Sequence, residues 1–282
     1  MYYSTKTIRR ILTSILILCT VLYIASKNQN TADADTYFLP SKYIVNSNSD
    51  NTTLSVISTA TVEEKVNEEL SYSTNCKILL YHTHTNEAYL QNADNRYEQL
   101  ASRSEDSSLT VCQVGKALRN AFAKFGYDCD HDKSNNEAQG YNKAYTLSNE
   151  LINKNTNANG QYLVHIDLHR DAYVKNTTPT IEINGKSVAK VMFVVGGKCE
   201  NAEENYNFAC LIANELDKSY PGLCEKVLYV KTSRYNQQYS NRSLLIEIGD
   251  NAVTVEEACN AAELVAEAIG KVLSMQNAVW EK

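Results

Sequence analysis

Positive charge is scarce once the first 27 residues are passed. Lys6, Arg9, Arg10 and Lys27 are the only charged residues there, leaving 23 of the 27 bases to face all 33 acids in the rest of the chain. A net of about -10 over that stretch excludes a nucleic-acid binder that works by neutralising phosphates. Walker loops, GxGxxG turns and basic stripes are absent as well, so nucleotide and dinucleotide sites of the common kinds are excluded. An HExxH helix is missing, which removes the thermolysin-like zinc peptidases. Eight cysteines show no C-x-x-C spacing, and outside the N-terminal apolar segment their number is odd: Cys76, Cys112, Cys129, Cys199, Cys210, Cys224 and Cys259. A complete disulfide framework is therefore excluded. Cys112, Cys210 and Cys259 fall on apolar helix faces and read as small core residues. Histidine is scarce too, at five residues in 282.

What is present begins with a leader. Lys6, Arg9 and Arg10 precede Ile11–Ala25, apolar except for Thr13, Ser14 and Thr20. A cleaved signal and a membrane anchor both have this form. The lack of a clear A-x-A site in "YIASKN" favours an anchor over residues 1–26, with its basic end in the cytoplasm and the remainder exported. Residues 27–75 are rich in Asn, Ser, Thr and Asp and read as a polar spacer, since "NSNSDNTT" cannot bury enough surface to fold. Residues 76–282 are then one folded domain.

Within that domain apolar runs and helical patterns alternate. Ile78–His82 reads as a buried strand. Leu109, Val111, Val114, Leu118, Phe122 and Phe125 recur at helical spacing and stop at Gly126, as a helix cap would. "YDCDHD", "QYLVHIDL", "KVLYVKT" and "SLLIEIG" read as strands, with Asn184-Gly185 marking a hairpin within "TIEINGKSVAKVMFVVGG". "GYNKAYTLSNELINKN", "NAEENYNFACLIANELDKSY" and "TVEEACNAAELVAEAIGKVL" read as helices, the last with Thr254 and Glu257 at capping-box spacing. The expected fold is α/β, a mixed and mostly parallel sheet with helices on both faces.

Polar residues collect where three strands end. Strand one finishes at His82-Thr83-His84, the third at His169-Arg170-Asp171, and the last carries Glu247 between Ile246 and Ile248. Ligands gather outside the carboxyl ends of strands in α/β folds. Catalytic zinc takes three His, Asp or Glu ligands and keeps a fourth position for water. His82, Glu87 and His169 can supply them, with Glu247 moving protons. The rival account of Glu247 is a buried salt bridge to Arg170 or Arg242. His165 lies about 13 Å along the strand from His169, too far to share an ion, and reads as a core residue. His131, in "DHDK", reads as a solvated surface histidine.

The segments "ILLYHTHTNEAY", "DLHRDA", "NGKSVAKVMFVVG", "YPGL" and "YNQQYSNRSLLIEIGDNAVTVEEA" occur in the order and spacing of the stage II sporulation protein P family. The chain resembles that family from Ile78 to about Ala268, and the leader and spacer agree with it. The resemblance implies a fold similar to zinc-dependent N-acetylmuramoyl-L-alanine amidases. It also implies cleavage of the amide between muramic acid and the stem peptide, with endopeptidase action on cross-links also credited to the family. The expected setting is forespore engulfment, at the membrane and facing peptidoglycan, alongside the lytic transglycosylase called stage II sporulation protein D. His82, Glu87 and His169 are the implied metal ligands and Glu247 the catalytic glutamate. The family pattern favours His82, whereas the general amidase pattern puts the ligand nearer His84. Arg170, Asn236 and Gln237 are expected on the substrate side. Gln238 stands where an acidic residue is usual, and "EIGDN" is shorter than the usual Gly-Gly turn. The rival from another class is a catalytically silent peptidoglycan-binding module, which has no need of Glu247.

Overall fold

The computed structural model describes residues 36–38 and 77–280. The expected anchor and most of the expected spacer lie outside the described residues. Among the described residues no helix is long and apolar enough to cross a membrane.

Among the described residues, nine strands and four α-helices follow one another as β1 (Thr36–Phe38), β2 (Lys77–Tyr81), α1 (Val111–Lys124), β3 (Asp128–His131), α2 (Ala144–Asn159), β4 (Val164–Asp171), β5 (Thr180–Ile183), β6 (Lys186–Ala189), β7 (Val191–Gly196), α3 (Ala202–Ser219), β8 (Cys224–Val230), β9 (Ser243–Asp250) and α4 (Val255–Trp280). Seven strands form one sheet in the order β1-β8-β7-β9-β4-β2-β3. The pairings β2–β3, β2–β4, β4–β9 and β7–β8 are parallel, and β7–β9 is antiparallel. The sheet is therefore mixed and mostly parallel, as expected.

Strands buried on both faces read as unbroken apolar runs rather than alternating ones, which is why "KILLY" and "VMFVVG" contain no exposed position. One face of the sheet, with Ile78, Leu80, Ile166, Leu168, Phe193, Ile246 and Ile248, packs against α1, α3 and α4 in the main core. On the other face Leu79 and Tyr81 meet Leu151 and Ile152 of α2. Met192, Val194, Val230 and Leu245 form a separate small cluster there. Helices thus lie on both faces, but three crowd one face and only α2 covers the other. The unequal cover leaves a cleft on the α2 face, beside Met192 and Glu247.

Two local signals do what their chemistry dictates. Asn184 and Gly185 both have positive φ (52° and 74°), the conformation a tight hairpin between right-twisted strands requires. The hairpin joins only β5 and β6, which form their own two-stranded sheet; the run "VMFVVG" beyond Lys190 leaves it and enters the main sheet as β7. At the start of α4, the Thr254 amide donates to Glu257 Oε2 (2.9 Å) and the Glu257 amide donates to Thr254 Oγ1 (3.2 Å), a reciprocal cap. The same Glu257 carboxylate takes a forked pair from Arg96 (2.8 and 3.1 Å) and a hydrogen bond from Ser187 (2.7 Å). It thereby ties the long loop after β2 and the hairpin to the helix.

Burial alone would raise the Glu257 pKa, but Arg96, the Thr254 amide and Ser187 together hold it below the ordinary carboxylate value. A lowered folded pKa contributes stability that is complete above the unfolded value and lost as pH falls through the folded one. Arg96→Ala should cost about 1 kcal/mol, the scale of a partly exposed ion pair. Denaturant unfolding across pH should show that gap constant from neutrality to about pH 5. It should close as Glu257 protonates. A gap that widens toward acid would contradict the assignment.

Candidate functional site

Parallel strands in register project paired residues to the same face, and alternate residues to opposite faces. His169 on β4 is the registered partner of Glu247 on β9, and Tyr81 that of Asp167. Asp167, His169 and Glu247 therefore all stand on the α2 face. His82, which follows Tyr81, falls on the opposite face with Leu80. After His82 the chain leaves the sheet and turns back. Thr85 Oγ1 (3.1 Å) and Asn136 Nδ2 (2.8 Å) donate to the His82 carbonyl, and the Glu87 amide donates to the His84 carbonyl (3.2 Å). That turn swings His84 and Glu87 over the end of β4.

The result is a buried polar cluster. Glu87 Oε2 lies 3.4 Å from His169 Nδ1 and accepts from the Arg170 amide at 3.1 Å. Asp167 Oδ1 lies 2.9 Å from His169 Nε2, off the line of the ring N–H, so that contact is ionic rather than a hydrogen bond. Asp167 also accepts from the Thr83 amide (2.7 Å) and hydroxyl (2.6 Å), which anchors the turn. The His84 ring stands edge-on to His169 with centroids 5.5 Å apart, and is stacked on Tyr141 at 4.3 Å. Its Nδ1 lies 3.1 Å from Glu137 Oε1. Glu247 is half-buried, and its enclosed Oε2 has no hydrogen-bond partner.

Protons offset most of the charge. Burial would lower the His169 pKa, but Asp167 and Glu87 outweigh it and hold the imidazole well above its usual value, as a cation. Burial raises Glu247 to about 8, His169 opposing and Glu87, Asp171 and Asp167 adding to the rise. Against burial, His169 and Arg170 hold Glu87 low, and His169 and Thr83 hold Asp167 low. Three carboxyls are thus offset in most part by two protons, one on His169 and one on Glu247. A divalent cation would do the same work.

Among the described residues no three His, Cys, Asp or Glu side chains stand as a ready-made metal cluster. The donor set nevertheless fits zinc in kind: the His84 and His169 imidazoles and the Glu87 carboxylate, with the unpartnered Glu247 Oε2 close to His169. Of the expected ligands, Glu87 and His169 come together, and the histidine beside them is His84.

His82 is engaged elsewhere. Its Nδ1 donates to the Leu168 carbonyl at 3.0 Å, so its Nε2 accepts from His131 Nε2 at 2.8 Å. Helix α1 comes so close that a Cβ on Gly115 would lie 2.7 Å from His131 Nε2 and 2.8 Å from His82 Cε1. His131 is therefore no solvated surface residue; it ends β3 and closes against its neighbour on β2. His165 is in the core as expected, edge-on to Tyr162 and tilted against Tyr239. The three residues expected to face substrate are held by the protein itself. Arg170 donates to the carbonyls of Ala88, Asp171 and Ser102. Asn236, in the left-handed region at φ 53°, donates to the Tyr145 carbonyl and Ser148 Oγ. Gln237 is 1% exposed and bonds both the Gly196 amide and the Val194 carbonyl. Of the described cysteines, Cys259 is half-buried and the other five are buried, and all six are free.

Two participants were missed. Asp167 interrupts "LVHIDLH" as Glu247 interrupts "LLIEIGD", so the same argument from an acid within an apolar strand would have found it. Glu137 sits in the polar loop "DKSNNEAQG", where nothing local distinguishes it.

The family model for Stage II sporulation protein P (SpoIIP) matches residues 20–270. The curated protein of that name from Bacillus subtilis (strain 168) is 33% identical over 208 residues, 69% of this chain and 50% of the relative. The chain thus spans about half the length of the curated relative it matches. Similar solved structures include the CwlD amidase from Clostridioides difficile in complex with the GerS lipoprotein, at 16% identity and a TM-score of 0.47, covering 74% of this chain and 100% of that one. An N-acetylmuramoyl-L-alanine amidase from Clostridium difficile 630 is similar at 15% identity and the same TM-score of 0.47, covering 73% and 98%. On the family match and the identity to the Bacillus relative, this chain belongs to the stage II sporulation protein P family.

Proposed function

We propose that the chain is a zinc-dependent peptidoglycan hydrolase. It cleaves the amide between N-acetylmuramic acid and the L-alanine of the stem peptide, with peptide cross-links as a second substrate. The observation that carries this reading is Glu247: a half-buried carboxyl with one enclosed, unpartnered oxygen, beside His169, lining a cleft of about 210 Å³. A silent binding module would gain nothing from keeping such a group, because an unpaired buried carboxyl lowers stability. Family membership supports the sporulation setting, in which the chain acts on the wall at the engulfing membrane beside a stage II sporulation protein D-like lytic transglycosylase.

His84, Glu87 and His169 would hold the metal. Zinc, when bound, supplies Lewis acidity that polarises the scissile carbonyl and acidifies water. Glu247 Oε2 takes the proton from the attacking water and passes it to the amide nitrogen as the C–N bond breaks. Enclosure by Met192 and the end of β9 keeps that carboxyl more basic than one in solvent. Arg170 fixes the loop that carries Glu87, and so keeps the carboxylate aligned with His169.

Glu247→Gln preserves shape and removes the proton-accepting oxygen. Release of stem peptides from purified wall should fall by roughly 100-fold or more, while the melting temperature changes little. A fully active variant would sink the mechanism. Zinc reconstitution should load about one equivalent per chain, and His84→Ala and His169→Ala should each empty the site. His82→Ala should keep its zinc but melt lower, because His131 loses its partner. The opposite outcome, with zinc lost from His82→Ala and kept by His84→Ala, would return the ligand to His82. The basic residues Lys6, Arg9 and Arg10 ahead of Ile11–Ala25 support a single-pass anchor with the domain outside the cell. A reporter fused after Lys282 and active only in the cytoplasm would contradict that orientation.

A further inference from the structure

Neutral imidazole carries one proton on either of two nitrogens, and a metal ligand must present the other one bare. We propose that Glu137 is a positioning residue for His84: it holds the ring as the Nδ1–H tautomer and leaves Nε2 as the free lone pair. The inference rests on the reading above, in which His84 is a ligand. A carboxylate only accepts, so with Glu137 Oε1 at 3.1 Å the proton belongs on Nδ1. Ligand histidines are commonly oriented in this way by a carboxylate behind them.

Glu137 is built to do this. Its carboxylate is 4% exposed, with Oε1 also paired to Arg103 and Oε2 accepting from the Asn86 amide at 3.0 Å. Its own amide donates to Asn135 Oδ1, so the loop that carries it is itself closed. The His84 ring has little freedom to escape. Tyr141 stacks on one side within 6° of parallel, and the Tyr145 ring meets it edge-on, centroids 5.7 Å apart. With the ring plane fixed, the position of the proton is the remaining variable, and Glu137 sets it. The second histidine also has a carboxylate at one nitrogen, through an ionic contact. Asp167 stands at His169 Nε2, leaving Nδ1 on the side of Glu87. Each imidazole thus has its own buried carboxylate behind it, one from the loop after β3 and one from β4.

A staple role for Glu137, tying Asn86 and Arg103 together, would leave the tautomer untouched, and nitrogen NMR of the ring reads the tautomer directly. The full chain with 15N-labelled histidine is measured free of metal at neutral pH, with His84→Ala identifying the signal. His84 should show a protonated Nδ1 and a bare Nε2. In Glu137→Gln, whose amide still accepts from Asn86, the signal should move to a mixture or to the Nε2–H form. Zinc affinity by chelator competition should fall about 10–100-fold in a chain that still folds without metal. A bare Nδ1 at His84 in the wild-type chain overturns the proposal, and so does an unchanged zinc affinity in folded Glu137→Gln. If Glu137→Gln does not fold, the wild-type tautomer decides alone. A wild-type chain that takes up no zinc would overturn the metal reading, and the tautomer of that same metal-free chain would still test Glu137.

Discussion

The register between β4 and β9 is the constraint from which the site follows. It sets His169 directly beside Glu247 on one face of the sheet. The pairing is parallel and lies in the middle of the sheet, with Leu168 and Ile246 from the same strands fully buried beneath it on the opposite face. A slip of one residue in either strand would turn its His169 or Glu247 into the main core and bring its Leu168 or Ile246 out into the cleft. The polar pair is therefore held by the apolar one. The hydrophobic core under α1, α3 and α4 keeps the chemistry in place without touching it.

Placing so many ionisable groups on that face has a consequence for charge. Asp167 and Glu87 are buried, and the half-buried Glu247 stands beside them with its Oε2 enclosed. Two protons, on His169 and on Glu247, answer the surplus in the metal-free chain. A dication would release both carboxyl and imidazole from that duty, which is the physical sense in which zinc suits this cluster. The loop after β2 completes it. Asp167 grips Thr83, Asn136 grips the His82 carbonyl, and Arg170 grips the carbonyls of Ala88 and Ser102. Arg170, expected on the substrate side, is one of the fasteners of this loop.

The opposite face shows how a similar residue type takes a different role. His82 and His131 close on each other beneath α1, where Gly115 lets the helix approach. Parity sets His82 apart from Tyr81: one step along an extended chain reverses the face. His84 is two residues from His82 in sequence, yet it reaches the α2 face because the strand has ended and the chain has turned.

Much of this was legible in the sequence, because it depends on neighbours along the chain. Apolar runs of four to eight residues mark buried strands, Asn184-Gly185 a hairpin, Thr254 and Glu257 a capped helix, and an acid within "LLIEIGD" a carboxyl buried for a reason. The order of the motifs from Ile78 onward identified the family. Tertiary structure alone decided which histidine joins Glu87 and His169, since spacing in sequence does not reveal where a strand stops and the chain turns. It alone brought Glu137 to His84 across 53 residues, and it turned Arg170, Asn236 and Gln237 inward. A side chain's partners are fixed by which backbone carbonyls and carboxylates packing carries to within about 3 Å of it. No local pattern records that.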